Sequence, residues 1–195
     1  MANASETAKA IERRKEYFAH LGALLWYYAS VEWMINHLVR YYYKIPEQKA
    51  NIALGQLPYD SAVDHLNRLR IAGIIPDDDN IEIILIKEQL GAITRLRNDM
   101  VHYTQEETPD GYILSTESWA YNAKKIRKFI VSTETLSDAS YDLMRIFWRL
   151  DILIHPKTRD NIKKVHGEFA YSTWQYKPPA LTHPDQEHSS IPPKQ

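Results

Sequence analysis

The sequence predicts an all-α fold: a helical bundle of about five helices with a long N-terminal helix and a disordered C-terminal tail. Apolar residues recur at three- and four-residue steps through most of the chain, which is the period of amphipathic helices. No segment shows the convincing alternation of apolar and polar residues that is typical of strands. With 195 residues, the chain is expected to form one domain, a helical domain at 1–170, followed by a flexible proline-rich tail at 171–195.

The first helix is predicted from Ala8 to Tyr43, a stretch without proline in which Gly22 is the one glycine. Its apolar stripe consists of Leu21, Leu24, Leu25, Tyr28, Val31, Ile35, Leu38, Val39 and Tyr42. Further large side chains widen the apolar surface beyond this stripe: Trp26, Tyr27, Trp33, Met34, Tyr41 and Tyr43. Because one neighbouring layer cannot cover so wide a surface, we expect a partner subunit to cover the rest rather than a second layer within the fold.

Three further helices are predicted in the middle of the chain. The first two span Glu47 to Leu54 and Tyr59 to Ile71, and Gly73 is expected to stop the second of them. The third runs from Ile81 to His102, and Asp79 with Glu82 has the spacing of a capping box at its start. Its apolar seam consists of Ile83, Ile86, Leu90, Ile93 and Met100, with Arg97 in the slot between the last two.

The C-terminal half is predicted to contain a turn, two longer helices and a last short one. The turn is Thr108-Pro109-Asp110-Gly111, followed by at most a short extended piece at Tyr112-Ile113-Leu114. A helix capped by Ser115 or Thr116 is expected to carry Trp119, Ala123, Ile126 and Ile130. The next helix starts at Ser132 or Thr133, stops before Pro156, and carries Leu136, Leu143, Phe147, Leu150 and Ile154. A last short helix is expected within residues 157–169, and Lys177 to Gln195 is polar and proline-rich.

Composition excludes several classes of function. Cysteine is absent, which excludes disulfides and Cys-based metal centres and favours a cytoplasmic location. The net charge of −1 provides no overall field toward nucleic acid or anionic membranes, so any RNA has to be held by a local patch. We expect no membrane segment and no cofactor, since no phosphate-binding loop or dinucleotide motif is present. A metal site is not expected either, because the ligand types His183, Asp185, Glu187 and His188 fall in the flexible tail.

The one dense group of reactive side chains is Arg95 to Tyr103, near the end of the Ile81 helix. Asn98 and His102 are four residues apart, so the amide can hydrogen-bond to the imidazole and orient it. Arg97 lies about 140° around the helix from His102, and its long side chain can reach an anion beside the ring. These residue types suit RNA cleavage without a metal, in which histidine transfers protons and arginine stabilises charge on the phosphate. A dimer would supply two of each.

A purely structural role is the alternative for the same residues. Arg97 can form an ion pair with Glu32, which lies among apolar residues of the first helix. A protonated His102 can stabilise the C-terminus of its helix by interacting with the helix dipole. The second functional hypothesis is therefore a catalytically inactive helical dimer that binds a nucleotide or a partner protein. Under it, Arg97→Met leaves the protein folded or more stable, whereas Glu32→Ala destabilises it.

Arg97-Asn98-Asp99-Met100-Val101-His102 resembles the Arg-x4-His motif of the HEPN superfamily of all-α ribonuclease-like domains. The similarity extends over roughly residues 10–155, through a long first helix with Gly22 and the pair Val31-Glu32. It implies a homodimer with a metal-independent endoribonuclease site at the dimer cleft, in a toxin or phage-defence setting. Arg97 would then be the transition-state cation, His102 the acid or base and Asn98 the orienting residue, with support from Glu32 and Asp99.

The chain departs from the toxins of this superfamily that are paired with an antitoxin, because Thr104 stands where those toxins carry tyrosine. An antitoxin or other regulatory protein is the partner that the resemblance implies besides RNA. A basic patch that can follow an RNA backbone is predicted at Arg95, Lys124, Lys125 and Lys128, although a solvated helix face is the simpler interpretation of the three lysines.

Overall fold

The computed structural model describes residues 4–108, 111–115 and 128–179, which contain six helices and three strands. The elements are α1 (Ala4–Tyr43), α2 (Glu47–Ala53), α3 (Tyr59–Ile71), α4 (Asp77–His102), β1 (Thr104–Thr108), β2 (Gly111–Ser115), β3 (Lys128–Val131), α5 (Thr133–Ile154) and α6 (Arg159–Ala170). The expectation of a mostly helical protein with a long first helix is confirmed. A small sheet is present in addition.

α1 and α5 form the centre of the bundle, and their apolar faces supply much of the hydrophobic core. On α1 this face includes Leu24, Val31 and Leu38, which are fully buried, and on α5 it includes Leu143 and Ile146. α5 begins as predicted, because the Ser132 hydroxyl accepts a hydrogen bond from the backbone N–H of Thr135. Within the described helices, none is both long enough and apolar enough to cross a bilayer.

α4 runs antiparallel to α1, and two hydrogen bonds between side chains fix their register. The hydroxyls of Tyr28 and Thr94 lie 3.0 Å apart, and the Tyr42 hydroxyl donates to an Asp79 carboxylate oxygen at 2.9 Å. The predicted apolar seam of α4 is buried in the common core, at Ile83, Ile86, Leu90, Ile93 and Met100. This packing holds the last two turns of α4, which carry the Arg-x4-His motif, beside the middle of α1.

The start of α4 differs from the prediction. Asp79 does not cap the helix; α4 begins at Asp77, after Pro76. Proline fixes its own φ near the helical value and so suits the start of a helix without a side-chain cap. The carboxylate of Asp79 is engaged in tertiary contacts instead, since it accepts from Tyr42 and pairs with Arg159 at 3.2 Å.

The prediction of a helix that includes Ile130 is wrong. Lys128 to Val131 forms β3, which pairs with β2 in an antiparallel sheet of order β1-β2-β3. Phe129 and Val131 are buried while Ile130 is exposed, so the strand does alternate, but over only four residues. The short extended piece predicted at 112–114 is confirmed as part of β2, whereas Trp119, Ala123 and Ile126 lie outside the described residues.

The chain continues to pack against the bundle after α6. Tyr176 is 3% exposed, and the backbone N–H groups of Gln175 and Tyr176 donate to the Asp142 carboxylate on α5. The first residues of the predicted tail therefore contribute to the core, although the division into domain and tail at residue 170 stays a prediction. Residues 180–195, with His183, Asp185, Glu187 and His188, lie outside the described part of the chain.

Candidate functional site

The predicted catalytic residues occupy the exposed end of α4. Arg97 is half-buried, whereas Asn98 and His102 are exposed, and His102 is the last residue of the helix. Five residues of helix separate Arg97 from His102 by about 7.5 Å along the axis and about 140° around it. The two side chains therefore leave the same helix end in directions that are closer to opposite than to parallel.

The guanidinium of Arg97 is held by one aromatic ring and one amide. Its central carbon lies 5.4 Å from the centroid of the Tyr28 ring on α1, in a cation–π arrangement. One Nη donates to the amide oxygen of Asn98 at 2.9 Å. The Nε atom is buried and makes no hydrogen bond within the described part of the chain. α1 thus fixes the position of the cation through a ring face, and no carboxylate among the described residues lies within ion-pair distance of it.

Glu32 lies one helical turn after Tyr28 on α1 and is half-buried. Burial raises the pKa of this carboxyl above its ordinary value, and the positive charge of Arg97 opposes the rise without cancelling it. Among the described residues, however, no ion pair within 4.0 Å joins Arg97 to Glu32. The direct pair of the structural alternative is therefore not formed, and the two groups interact over a longer distance.

The hydrogen bond predicted between Asn98 and His102 is replaced by another. The Asn98 amide oxygen accepts from Arg97, its neighbour in sequence, so the amide orients the cation rather than the imidazole. The end of the helix that carries His102 is held by Gln105, whose side-chain amide donates to the carbonyl of Met100 at 2.8 Å.

The remaining predicted residues are spread more widely. Arg95 and Asp99 lie on another side of α4, where they line a cavity of about 210 Å³ together with Tyr176. Lys128 lies in β3 and not on a helix, and Lys124 and Lys125 lie outside the described residues. The structure therefore brings Arg97, Asn98 and Glu32 into one region and separates Arg95 and Asp99 from it.

Sequence reasoning missed the role of Tyr28 and Thr94. Thr94 donates to the Leu90 carbonyl in its own helix, and its oxygen lies within hydrogen-bond distance of the Tyr28 hydroxyl, so it fixes the ring under Arg97. Burial raises the pKa of Tyr28, which keeps the phenol neutral and its ring available to the cation. The available signal was weak: Tyr28 precedes Glu32 by four residues and so shares a face with it.

An exposed apolar seam runs along α1 next to this region. Ile11, Phe18 and Leu25 are spaced by seven residues, and all three are between 41 and 51% exposed. The next position in the series is Glu32, and the small residues Gly22 and Ala29 lie beside the seam on the exposed surface. One apolar position in every seven is half of the two-position repeat by which helices pair in coiled coils. The apolar surface that the sequence predicts beyond the main stripe of α1 is partly covered within the subunit, since Met34 is buried, but Trp26 and Trp33 are exposed.

No group of three or more His, Asp or Glu side chains with the arrangement of a metal site occurs among the residues that the structure describes. Comparison with known proteins gives no relative from which a role can be inferred: no protein-family model, no curated protein and no solved structure matches this chain. The class defined by fold and site is therefore a helical domain with an Arg-x4-His motif at one helix end.

Proposed function

We propose that the protein is a metal-independent endoribonuclease of the HEPN type whose active site forms at a homodimer cleft. The observation that carries this proposal is the state of Arg97, a half-buried cation fixed by Tyr28 and Asn98, without a carboxylate in ion-pair contact among the described residues. A guanidinium held in this way is positioned in advance for an anion and loses little freedom when a phosphate binds. The Arg-x4-His resemblance supports the same conclusion.

The roles follow from the chemistry of each side chain. His102 is exposed at the end of α4, where substrate can reach it, and an imidazole suits proton transfer at neutral pH. In the cleavage step the 2′-hydroxyl loses its proton and attacks the adjacent phosphorus, and the 5′-oxygen leaves as it gains a proton. The products are a 2′,3′-cyclic phosphate and a free 5′-hydroxyl. Arg97 stabilises the charge on the phosphate during this step.

Two subunits are needed because one α4 end offers a single imidazole for two proton transfers. A contact along the seam of Ile11, Phe18 and Leu25 would continue to Glu32 and so place the motif regions of both subunits near the two-fold axis. Such a dimer would provide one histidine as base and the other as acid.

Cleavage of a single-stranded RNA in the presence of EDTA tests the catalytic roles. We expect 2′,3′-cyclic phosphate ends from the wild-type protein and a loss of about 10²- to 10⁴-fold in rate for Arg97→Ala and for His102→Ala. Two matched controls are Arg70→Ala, an exposed arginine near the end of α3, and His155→Ala, an exposed histidine that caps the end of α5. If all four variants cut at the wild-type rate, the proposal is wrong.

The oligomeric state tests the cleft. Leu25→Asp introduces a charge into the seam and should give a monomer that has lost cleavage, whereas Ile52→Asp on the exposed side of α2 should stay dimeric and active. Light scattering measures the mass in parallel with the RNA assay. An active monomer would show that one subunit carries the complete site.

A further inference from the structure

We propose that a polar cavity between α1 and α2 binds one nucleotide of single-stranded RNA, with the base stacked on Trp33 and the phosphate on Arg40. This inference rests on the proposed function for its substrate class, and it adds a binding site for the RNA strand outside the cleavage region. The cavity has a volume of about 480 Å³, within the usual range of about 300–1,000 Å³ for small-molecule sites.

The floor of the cavity is a loop fastened to α1 at two points. The Asn36 side chain, which is 5% exposed, both accepts from the N–H of Leu57 at 2.8 Å and donates to its carbonyl at 3.0 Å. Arg40 donates to the carbonyl of Gly55 at 2.9 Å, and Gly55 adopts a φ of 59° that suits glycine. Because these bonds fix the loop, the cavity is formed before any ligand binds.

The lining matches the parts of a nucleotide. Trp33 is 56% exposed and packs edge-on against His37, with ring centroids 4.0 Å apart, so a large aromatic surface is available for stacking. Arg40 supplies a cation whose orientation is set by its bond to Gly55. Asn51 and Gln56 are exposed amides on the rim, and each carries both donors and an acceptor for the edge of a base.

A cation beside an exposed aromatic ring distinguishes this cavity from the others found in the described part of the chain. The lining at Trp33 contains Arg40 and no acidic residue. The cavity at Arg70 and Lys87 also lacks acidic residues, but no aromatic ring lines it. The cavity between α1 and β1 also carries arginines, but acidic residues balance them, and Arg14 already lies 3.7 Å from Glu107. The cavity beside Trp26 is almost entirely apolar. An anionic ligand with an aromatic base therefore fits the cavity at Trp33 better than any of these alternatives.

Position links the cavity to the candidate cleavage region. Trp33 follows Glu32 directly on α1 and lies about 7.5 Å along the helix axis from Tyr28, the ring that holds Arg97. The two residues are also about 140° apart around α1, so a strand that contacts both places has to pass around the helix. The cavity would set the register of the strand, which affects KM, while Arg97 and His102 act on the bond that breaks.

The test measures binding without cleavage. A fluorescein-labelled single-stranded oligonucleotide with 2′-O-methyl groups lacks the attacking hydroxyl, and fluorescence anisotropy with the full chain reports its affinity. We expect Trp33→Ala to bind about ten-fold more weakly, Trp33→Phe to retain most of the affinity, and Trp26→Ala to bind normally. Trp26 is the matched control, because it is 66% exposed on the same helix but lies outside this cavity.

Salt dependence tests the phosphate contact. Arg40→Met should lower the slope of log K against log salt by about 0.7, the value for one phosphate contact with a single strand. An unchanged slope with weaker binding would assign Arg40 to loop structure alone and overturn its phosphate role. In the cleavage assay, Trp33→Ala should raise KM and leave kcat unchanged.

Three results would overturn the nucleotide site. One is equal affinity of Trp33→Ala and the wild type; another is conversion of Trp33→Ala to a monomer in light scattering, which would place Trp33 in a subunit interface. The last is binding of AMP as tight as that of the oligonucleotide, which would assign the cavity to free nucleotides. The two proposals can fail separately. Binding that depends on Trp33 without any cleavage would refute the nuclease proposal, whereas cleavage that depends on Arg97 together with normal binding by Trp33→Ala would refute the nucleotide site.

Discussion

Replacement of Asp142 by alanine should destabilise the protein more than most single substitutions, because this carboxylate joins three parts of the fold. It is 0% exposed and pairs with Arg145 one turn further along α5. It also accepts from the Gln89 side chain on α4 at 2.7 Å and from the backbone N–H groups of Gln175 at 3.0 Å and Tyr176 at 2.8 Å. Alanine removes this acceptor from all four donors, of which Gln89 keeps a hydrogen bond to the Tyr176 carbonyl at 3.1 Å.

The size of the effect follows from the charge that remains. Arg145 is 4% exposed, so Asp142→Ala leaves a buried guanidinium whose remaining hydrogen bond is to the Ser172 hydroxyl. Removing one member of a buried ion pair costs about 3–5 kcal/mol. For a chain of this size each kcal/mol lowers the melting temperature by about 2–4 °C, so we expect a decrease of about 6–20 °C.

Denaturation by guanidinium chloride, followed by circular dichroism and by tryptophan fluorescence, measures the loss and checks for a two-state transition. Asp64→Ala, at an exposed position of α3, is the control and should change stability by less than about 0.5 kcal/mol. Combining Asp142→Leu with Arg145→Met should recover part of the loss, because no buried charge then stays unpaired. A loss below about 1 kcal/mol for Asp142→Ala, or a strictly additive double variant, would refute the reasoning.

Three further outcomes are expected in the same assay. Burial raises the pKa of Glu32 above its ordinary value of 4.5, so the folded state binds this proton more tightly than the unfolded state. The wild-type protein should therefore lose stability as the pH rises through the interval above 4.5, and Glu32→Gln should remove this dependence. A net loss of stability in Glu32→Gln at neutral pH would show that the attraction between Glu32 and Arg97 outweighs the cost of burying the carboxylate. Gly111→Ala should destabilise by more than about 1 kcal/mol, since φ is 142° and a Cβ would lie 2.4 Å from the Val131 carbonyl oxygen; wild-type stability would contradict this geometry. Ser132→Ala should cost about 1 kcal/mol through loss of the α5 cap, and an unchanged midpoint would show that the cap contributes nothing.

The parts of the fold that the sequence predicts are those set by local periodicity. α3 has the predicted bounds, Tyr59–Ile71, and Gly73 ends it with a positive φ of 68°, because these features depend on neighbouring residues only. The sheet was missed because β3 has four residues and is stabilised by pairing with β2, which lies elsewhere in the sequence. The cap assigned to Asp79 failed for a similar reason, since its partners come from α1 and α6.

The candidate site likewise has a part that the sequence predicts and a part that depends on tertiary packing. Arg97, Asn98 and His102 lie within six residues of one helix, so their spacing is visible in the sequence, whereas the ring of Tyr28 under Arg97 depends on how α1 and α4 pack. The supports of the two proposed catalytic groups also differ. Tyr28 on α1 holds the guanidinium, while Gln105 at the start of the sheet holds the helix end that carries His102. Distortion of the sheet should therefore displace the imidazole and leave the cation in place, so a variant that loses proton transfer can still bind phosphate.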